Sequence, residues 1–366
     1  MIDRSLFNED WPAIVERLGG AAALEEGART TKAFLRARTF ENAIDMLRMI
    51  LAYCLGGGGL RSTAAWAASI GLADVANTAL LYRLRQSGDW LAFLVGQALG
   101  LAAPKASQGR VIRIVDATNV LKAGAAAKTK NKLWRIHSAF DLPSERFGFF
   151  ELTDEHGGER LDRAPVIKGE IRIGDRVYMQ PDRIAALLEG GADVVVRSGW
   201  RNARWLDADG APVDLLAWFE KAAASGRIDN PIWIGRKSSP ALALRLVAIK
   251  KPPKAAEAAR LAARRSAMKA RNAISQGTLT AAEWVILVTS LPAGEFSTDD
   301  IFALYRLRWR IELAFKRLKS LIGLKSPPGE DERSAKPYVL AHLLVILLLE
   351  PLIDEFEDSP RLEQAA

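Results

Sequence analysis

Val111-Ile-Arg-Ile-Val-Asp-Ala-Thr118 is the stretch at which the chain changes from helical periodicity to that of strands. Its apolar residues are β-branched and closely spaced, which predicts a buried strand from Val111 to Val115. Asp116 follows directly, so we expect its carboxylate at the carboxyl end of that strand. The same residues would also begin an ordinary Asp-x-Thr turn, and this alternative stays open.

The elements that follow predict a mixed α/β sheet. Two more β-rich runs are bounded by turn residues, and an antiparallel trio follows from them. After the trio we expect a strand with Asp175, a short helix, and an apolar strand that ends at Arg197. The predicted ranges are 134–142, 146–153, 170–178, 181–188 and 193–196. This order is that of a ribonuclease-H-like sheet, in which acids at strand ends meet at one edge, although Asp175 could also be a turn residue in Gly-Asp-Arg.

A second polar stretch lies far along the chain, Tyr305-Arg-Leu-Arg-Trp-Arg-Ile-Glu-Leu-Ala-Phe-Lys-Arg-Leu-Lys319. We predict one continuous helix that begins after Ser297 and ends before Gly323. At 100° per residue, Tyr305, Arg308, Glu312 and Lys319 share one face. A buried lone glutamate needs a partner or a metal ion. The alternative is an amphipathic helix with a solvated charged edge.

Asp116, Asp175 and Glu312 occupy the places at which three acids would converge in such a sheet. Clustered carboxylates do not all stay ionised without a cation, and hard oxygen ligands select Mg²⁺ or Mn²⁺. Such a site performs phosphoryl transfer with two metal ions. The chain has three histidines and one cysteine, Cys54, so internal disulfides and cysteine-cluster zinc sites are excluded.

Positive charge is concentrated in one part of the chain. The net charge is +8, and residues 200 to 280 hold 15 Lys and Arg against 6 Asp and Glu. We predict a basic β-rich insertion over 200–285, with strands at 231–236 and 242–250 and a helix at 254–276. The arginines of this helix fit contacts with a DNA backbone, and a solvated surface is the alternative.

The two ends of the chain read as helical. The pattern of residues 1–105 predicts helices throughout. The two helices on either side of Gly71 have the spacing of a helix-turn-helix motif, with Arg83 and Arg85 on the second helix. This region has 11 basic and 10 acidic residues, so a plain helical bundle remains an alternative to DNA reading. Residues 331–366 predict a C-terminal helical segment. Its 12-residue apolar run, 338–349, is too short to cross a bilayer and fits a core or a dimer interface.

The residues closely resemble the DDE transposases of bacterial insertion sequences, specifically insertion-sequence family four. The hallmark of that group is Tyr, two residues, Arg, three residues, Glu, six residues, Lys, which this chain matches without a gap at Tyr305, Arg308, Glu312 and Lys319. Asp116 in Ile-Val-Asp-Ala-Thr and Asp175 in Gly-Asp-Arg-Val-Tyr match the first two acids. The chain departs from the pattern at two positions. Relatives often have Gly or Ser at the position of Ala117 and Gly at the position of Val177. Neither position supplies metal-binding atoms.

The resemblance implies an enzyme that cleaves DNA at transposon ends and joins the freed 3′-OH to target DNA, through a hairpin intermediate in cut-and-paste relatives. It implies Asp116, Asp175 and Glu312 as catalytic ligands of two Mg²⁺ ions, for which Mn²⁺ would substitute. Tyr305, Arg308, Lys319 and Arg197 would grip DNA phosphates. Trp284 would stack on a flipped base, and a core tryptophan is its alternative role.

The resemblance also sets the expected organisation and partners. We expect a helical DNA-binding domain (1–105), a catalytic domain (106–199 and 286–330), the insertion (200–285) and the C-terminal segment (331–366). Double-stranded DNA and a second copy of the chain, in a homodimer that holds two ends, are the expected partners. No signal peptide or membrane span is expected, so the protein should be cytoplasmic and nucleoid-associated. The alternatives are a decayed copy that only binds transposon ends and a stand-alone magnesium nuclease.

Overall fold

The structure is a computed structural model, which describes residues 10–37, 40–101, 110–122, 133–142, 146–309, 312, 327 and 331–357. The helices are α1 (Trp11–Arg17), α2 (Gly20–Thr30), α3 (Ala43–Leu55), α4 (Leu60–Ser69), α5 (Asn77–Gln86), α6 (Gly88–Leu101), α7 (Pro181–Glu189), α8 (Leu215–Lys221), α9 (Pro253–Lys269), α10 (Gln276–Ala282), α11 (Thr298–Arg306) and α12 (Glu332–Glu357). The strands are β1 (Ile112–Leu121), β2 (Leu133–Leu142), β3 (Arg146–Asp154), β4 (Ile171–Gly174), β5 (Asp193–Ser198), β6 (Arg204–Leu206), β7 (Arg227–Gly235), β8 (Leu242–Lys250) and β9 (Trp284–Thr289).

A nine-stranded sheet in the order β3-β2-β1-β4-β5-β9-β8-β7-β6 runs through the molecule. Strands β1, β2 and β3 are antiparallel neighbours, β4 is parallel to β1, and β5 is parallel to β4. The predicted antiparallel trio and the mixed α/β class are therefore confirmed. Apolar side chains are buried on both faces of the sheet, since alternate residues of β1 and β5 belong to different core clusters.

Two strand predictions placed their ends wrongly. Strand β1 continues past Val115 to Leu121, because the residues from Asp116 onward keep pairing with β2, Asp116 lying opposite Ser138. Strand β4 is shorter than predicted and stops at Gly174. There, the Asp175 carboxylate accepts a hydrogen bond from the backbone N–H of Val177 and caps a short 3₁₀ helix, 176–178.

Residues 200–285 contain β6, β7 and β8, and these strands extend the same sheet. Strand β8 pairs with β9 from Lys250↔Trp284 to Arg245↔Thr289, and β7 and β6 follow outward. The predicted helix at 254–276 was wrong in its extent. Helix α9 ends at Lys269, Arg271 adopts a left-handed φ of 53°, and α10 begins after the Ser275 cap. The division into domains stays a prediction.

The N-terminal helices and α12 share one core. Helix α12 packs on α3, α5 and α6, and most of its apolar run is buried, with Val339 and Leu344 fully inaccessible and Leu349 exposed. The predicted core role of residues 338–349 is thus confirmed. The core of these helices continues into one face of the sheet. In the described part of the chain, we find no helix with the length and apolarity that crossing a membrane requires.

The helix-turn-helix prediction placed Arg83 and Arg85 on the second helix, α5, where both contact protein. The Arg83 guanidinium lies 5.8 Å from the centre of the Phe34 ring. Arg85 forms an ion pair with Asp331 (2.9 Å) and donates to the Ser334 hydroxyl (3.1 Å). These two arginines therefore hold α5 to its neighbours, and a DNA-reading role for them gains no support.

The predicted continuous helix through Tyr305 and Arg308 was wrong at one point. Helix α11 starts with a capping box, in which Ser297 and Asp300 bond each other's backbone N–H groups, and ends at Arg306. The N–H groups of Leu307 and Arg308 then bond the carbonyls three residues back, which forms a tighter turn. Trp309 and Glu312 are helical again, and Lys319 lies outside the described residues.

Candidate active site

Asp116, Asp175 and Arg197 lie in one row across three neighbouring parallel strands. Strand β1 pairs with β4 up to Ile114↔Ile173, and both aspartates lie two residues further on. Strand β5 pairs with β4 up to Gly174↔Val196, so Arg197 is level with Asp175. Because neighbouring strands are about 4.8 Å apart, the fold brings the two acids and one cation together at one edge.

The Asp116 side chain is partly buried, and this changes its chemistry. Burial raises the pKa of Asp116 to about 6, the backbone N–H of Ala117 and the positive charge of Arg308 oppose the rise, and Asp175 and Glu159 add to it. The hydrogen bond from Ala117 to the Asp116 carboxylate is 2.8 Å long. Desolvation of the carboxylate is therefore the main cause of the rise, and neighbouring negative charge is a smaller one.

Glu159 is a residue of this site that sequence reasoning missed. Burial raises its pKa, Arg135 opposes the rise and Asp175 adds to it. The Arg135 guanidinium lies 3.7 Å from the Glu159 carboxylate and donates to the Gly157 carbonyl (2.9 Å). Glu159 belongs to the irregular connection between β3 and β4, which has no periodicity that could have singled it out.

Two buried arginines hold that connection in place. Arg172 donates to the carbonyls of Leu161, Ala164 and Pro165 at 2.8 to 2.9 Å and is paired with Glu170. Arg113 donates to the Pro165 carbonyl (3.0 Å) and makes two bonds to Asp141 (2.6 and 2.8 Å). The connection is thereby fastened to β1, β2 and β4. The same connection lines a small cavity beside Asp116.

The insertion positions the helix that carries Tyr305. Asp229 on β7 accepts a bond from the hydroxyl of Thr298, the first residue of α11 (2.5 Å), and two from Arg245 on β8 (2.7 and 2.5 Å). Arg245 also donates to the Phe296 carbonyl (2.7 Å). The start of α11 is therefore held by the β7–β8 hairpin, and the helix packs on β5 and β8.

Tyr305 and Arg308 lie in the same electrostatic environment as the aspartates. Burial raises the pKa of Tyr305, Arg308 and Arg197 oppose the rise, and Asp175 adds to it. The Arg308 guanidinium lies 6.0 Å from the centre of the Tyr305 ring and donates to the Glu312 carboxylate (2.5 Å). The structure thus brings five of the predicted residues into one neighbourhood: Asp116, Asp175, Arg197, Tyr305 and Arg308.

The third predicted acid is not assembled with the other two. Glu312 is paired with Arg308, and its side chain is 55% exposed. In the described ranges, no three His, Cys, Asp or Glu side chains form a group that could hold a metal ion. The donor chemistry of Asp116 and Asp175 nevertheless fits a hard divalent cation, because carboxylate oxygens are the ligands such ions prefer and the charge of Asp175 helps to raise the pKa of Asp116.

A groove of ≈ 680 Å³ begins at Arg197 and runs between α9, α10 and the β5–β6 connection. Its described lining residues include four cations, Arg176, Arg197, Arg201 and Lys251, and no Asp or Glu. Burial and the charges of Arg197 and Arg176 lower the pKa of Lys251. Such a surface attracts a polyanion.

Trp284 is a core residue that also reaches the groove. Its side chain is 4% exposed and stacks on Phe219, with ring centres 5.1 Å apart. One edge of the residue lines the groove. The structure therefore favours the alternative core role of Trp284. On α9, Arg260 is paired with Glu283, whereas Arg264, Arg265 and Lys269 are exposed.

Several known proteins are similar to this chain. Residues 107–348 match the family model described as "Transposase DDE domain". The chain is 35% identical over 360 residues to the putative transposase InsL of insertion sequence element IS186A from Escherichia coli K12. It is also 35% identical over 361 residues to the transposase of insertion sequence element IS421 from Escherichia coli. In both comparisons, 96% of this chain and 96% of the relative are covered. A piggyBac transposase in a synaptic complex with hairpin DNA superposes with a TM-score of 0.49 at 9% identity, over 98% of this chain and 76% of that one.

Proposed function

This chain belongs to the DDE transposase family, and we propose that Asp116, Asp175 and Glu312 are the acids with which it cuts DNA. It is a bacterial insertion-sequence DNA transposase, an enzyme that performs DNA cleavage and strand transfer. The match of Tyr305, Arg308, Glu312 and Lys319 to the family-four signature supports the finer assignment to that group.

The observation that carries this assignment is the register of β1 and β4. It makes Asp116 and Asp175 neighbours at one sheet edge, where the negative charge of Asp175 helps to raise the pKa of Asp116. Asp116, Asp175 and Glu312 would hold two Mg²⁺ or Mn²⁺ ions, which when bound would activate the attacking oxygen and stabilise the leaving one. The protein residues hold the reacting phosphate in place: the far end of α11 presents Tyr305, the turn after it presents Arg308, and β5 presents Arg197.

The basic groove supports a DNA path that leads away from the acids. Arginine suits phosphate through its fork of donors, and lysine acts as a point charge. Arg197 belongs both to the row of acids and to the groove, so a strand cut beside Asp175 would continue past Arg176 and Lys251. The exposed arginines of α9 would contact the backbone further out, in a salt-dependent and sequence-independent manner.

The assembly and the division of labour follow from this function. Strand transfer uses two transposon ends, so we propose a homodimer on DNA in the cytoplasm, associated with the nucleoid. Residues 1–105 would bind the ends, residues 106–199 and 286–330 would cut them, and the insertion at 200–285 would hold the flanking backbone. Helix α12 would strengthen the N-terminal unit, because it packs on α3, α5 and α6.

The test is a cleavage and joining assay with the DNA that flanks the gene, a supercoiled target plasmid and Mg²⁺. Asp116→Ala, Asp175→Ala and Glu312→Ala should each abolish cleavage and leave retardation of the end duplex largely intact. Near-normal cleavage by any one of them would refute the role of that acid. Retardation by the wild type without cleavage would identify an end-binding protein, and cleavage without joining a nuclease.

A further inference from the structure

Arg308 interacts with two acids, Glu312 and Asp116, which the proposed chemistry needs as metal ligands. Its guanidinium donates to the Glu312 carboxylate (2.5 Å) and contributes positive charge at Asp116. The Arg308 side chain is 23% exposed, and the Glu312 side chain is 55% exposed. A cation supplied by the chain therefore partly balances the acids at which a metal ion would bind.

We propose that Arg308 is an internal counter-cation that retains Glu312 in the DNA-free protein and releases it when a DNA phosphate binds the guanidinium. This inference rests on the proposed function, and it adds that DNA binding and metal binding are linked. Arg308 would be a positioning residue, because it acts on the metal site through Glu312.

Two features of the structure make this exchange physically reasonable. The pair is half-exposed and joins residues four apart in sequence, and such pairs are weak enough to be replaced by a stronger partner. A phosphate bound by an arginine fork is such a partner. Once Arg308 turns to phosphate, Asp116 loses part of its counter-charge and Glu312 loses its partner, so the affinity of the acids for a divalent cation rises.

The backbone turn at Leu307 and Arg308 supports the exchange. Helix α11 is anchored at its start by Asp229 and ends at Arg306, so Arg308 and Glu312 lie beyond the fixed part. The tight turn separates them from the α-helical hydrogen-bond ladder of α11. A change in the pairing of Arg308 can therefore re-aim Glu312 without moving Tyr305.

The experiment measures Mn²⁺ binding to the full chain by electron paramagnetic resonance, in the absence and presence of the end duplex. Without DNA, Arg308→Ala should bind Mn²⁺ about five- to tenfold tighter than the wild type, a coupling of ordinary size. With DNA, the Mn²⁺ affinity of the wild type should rise by a similar factor, and that of Arg308→Ala should change little. The matched control is Arg306→Ala, which removes an equal charge from an exposed position two residues away and should change Mn²⁺ affinity less than about twofold.

The outcomes separate this inference from the function on which it rests. Equal Mn²⁺ affinity of Arg308→Ala and the wild type, or an equal gain on adding DNA, would overturn the inference. If the inference fails in this way, loss of Mn²⁺ binding in Asp116→Asn would still support the metal site. Unchanged Mn²⁺ binding in Asp116→Asn would instead refute the metal site itself.

Discussion

Replacing Asp116 by asparagine should stabilise the metal-free protein while it abolishes catalysis. Asparagine has nearly the shape of aspartate and can still accept the bond from the Ala117 N–H, but it carries no charge into a buried site. The folded protein raises the pKa of Asp116 from 3.8 to about 6. Keeping this side chain ionised therefore costs folding free energy, which the substitution removes.

The size and the sign of the effect follow from that shift. A shift of about 2 pKa units corresponds to about 3 kcal/mol. Because the folded-state pKa is raised, the free energy of unfolding of the wild type falls as the pH rises from 3.8 through 6 and the Asp116 carboxylate ionises. The gain of Asp116→Asn should thus be about 3 kcal/mol near pH 8 and less than about 1 kcal/mol near pH 4.

Urea unfolding with a chelator present, at both pH values, measures this difference. Asp209→Asn, at an exposed turn position, is the matched control and should change stability at neither pH. Mg²⁺ should stabilise the wild type and leave Asp116→Asn unchanged. A destabilised Asp116→Asn, or a gain that does not depend on pH, would refute the view that Asp116 is a desolvated carboxylate with a raised pKa.

Three further predictions test other parts of the structure. Arg197→Ala should lower DNA affinity and reduce the slope of log affinity against log salt by about 1, measured by fluorescence anisotropy; an unchanged slope would speak against a phosphate contact. Asp141→Ala leaves two buried guanidinium groups with one carboxylate and should cost about 3 to 5 kcal/mol of unfolding free energy, whereas Asp299→Ala, at an exposed pair, should cost less than about 1 kcal/mol. Ser297→Ala removes the α11 cap and should cost about 1 kcal/mol in urea unfolding, so an unchanged midpoint would contradict the capping role.

The sequence predicted those parts of the fold that local periodicity controls. Strands β2 and β3 and helix α7 were found within a residue or two of their predicted bounds, because alternation and turn residues mark them. The end of β1 was missed because pairing with β2, a tertiary contact, extends the strand past Asp116. The break after Arg306 was missed because its residues are good helix formers and a three-residue hydrogen-bond pattern leaves no mark in the sequence.

Long-range contacts account for most of what the sequence could not reveal. The pairing of β8 with β9 makes the insertion part of the central sheet, and nothing near Lys250 or Trp284 indicates it. The packing of α12 on the first helices joins residues some 250 positions apart, as Arg85 and Asp331 show. In the site, the family resemblance pointed to the acids, whereas Glu159 and the pairing of Glu312 with Arg308 became visible only in three dimensions.

The central claim is that Asp116, Asp175 and Glu312 together hold divalent ions on DNA. The most direct measurement is the anomalous scattering of Mn²⁺ in crystals of the chain bound to its end duplex. The account predicts Mn²⁺ peaks in ligand contact with the carboxylates of Asp116 and Asp175, with Glu312 turned from Arg308 to join them. Mn²⁺ bound elsewhere, with Glu312 still paired to Arg308 in the DNA complex, would contradict it.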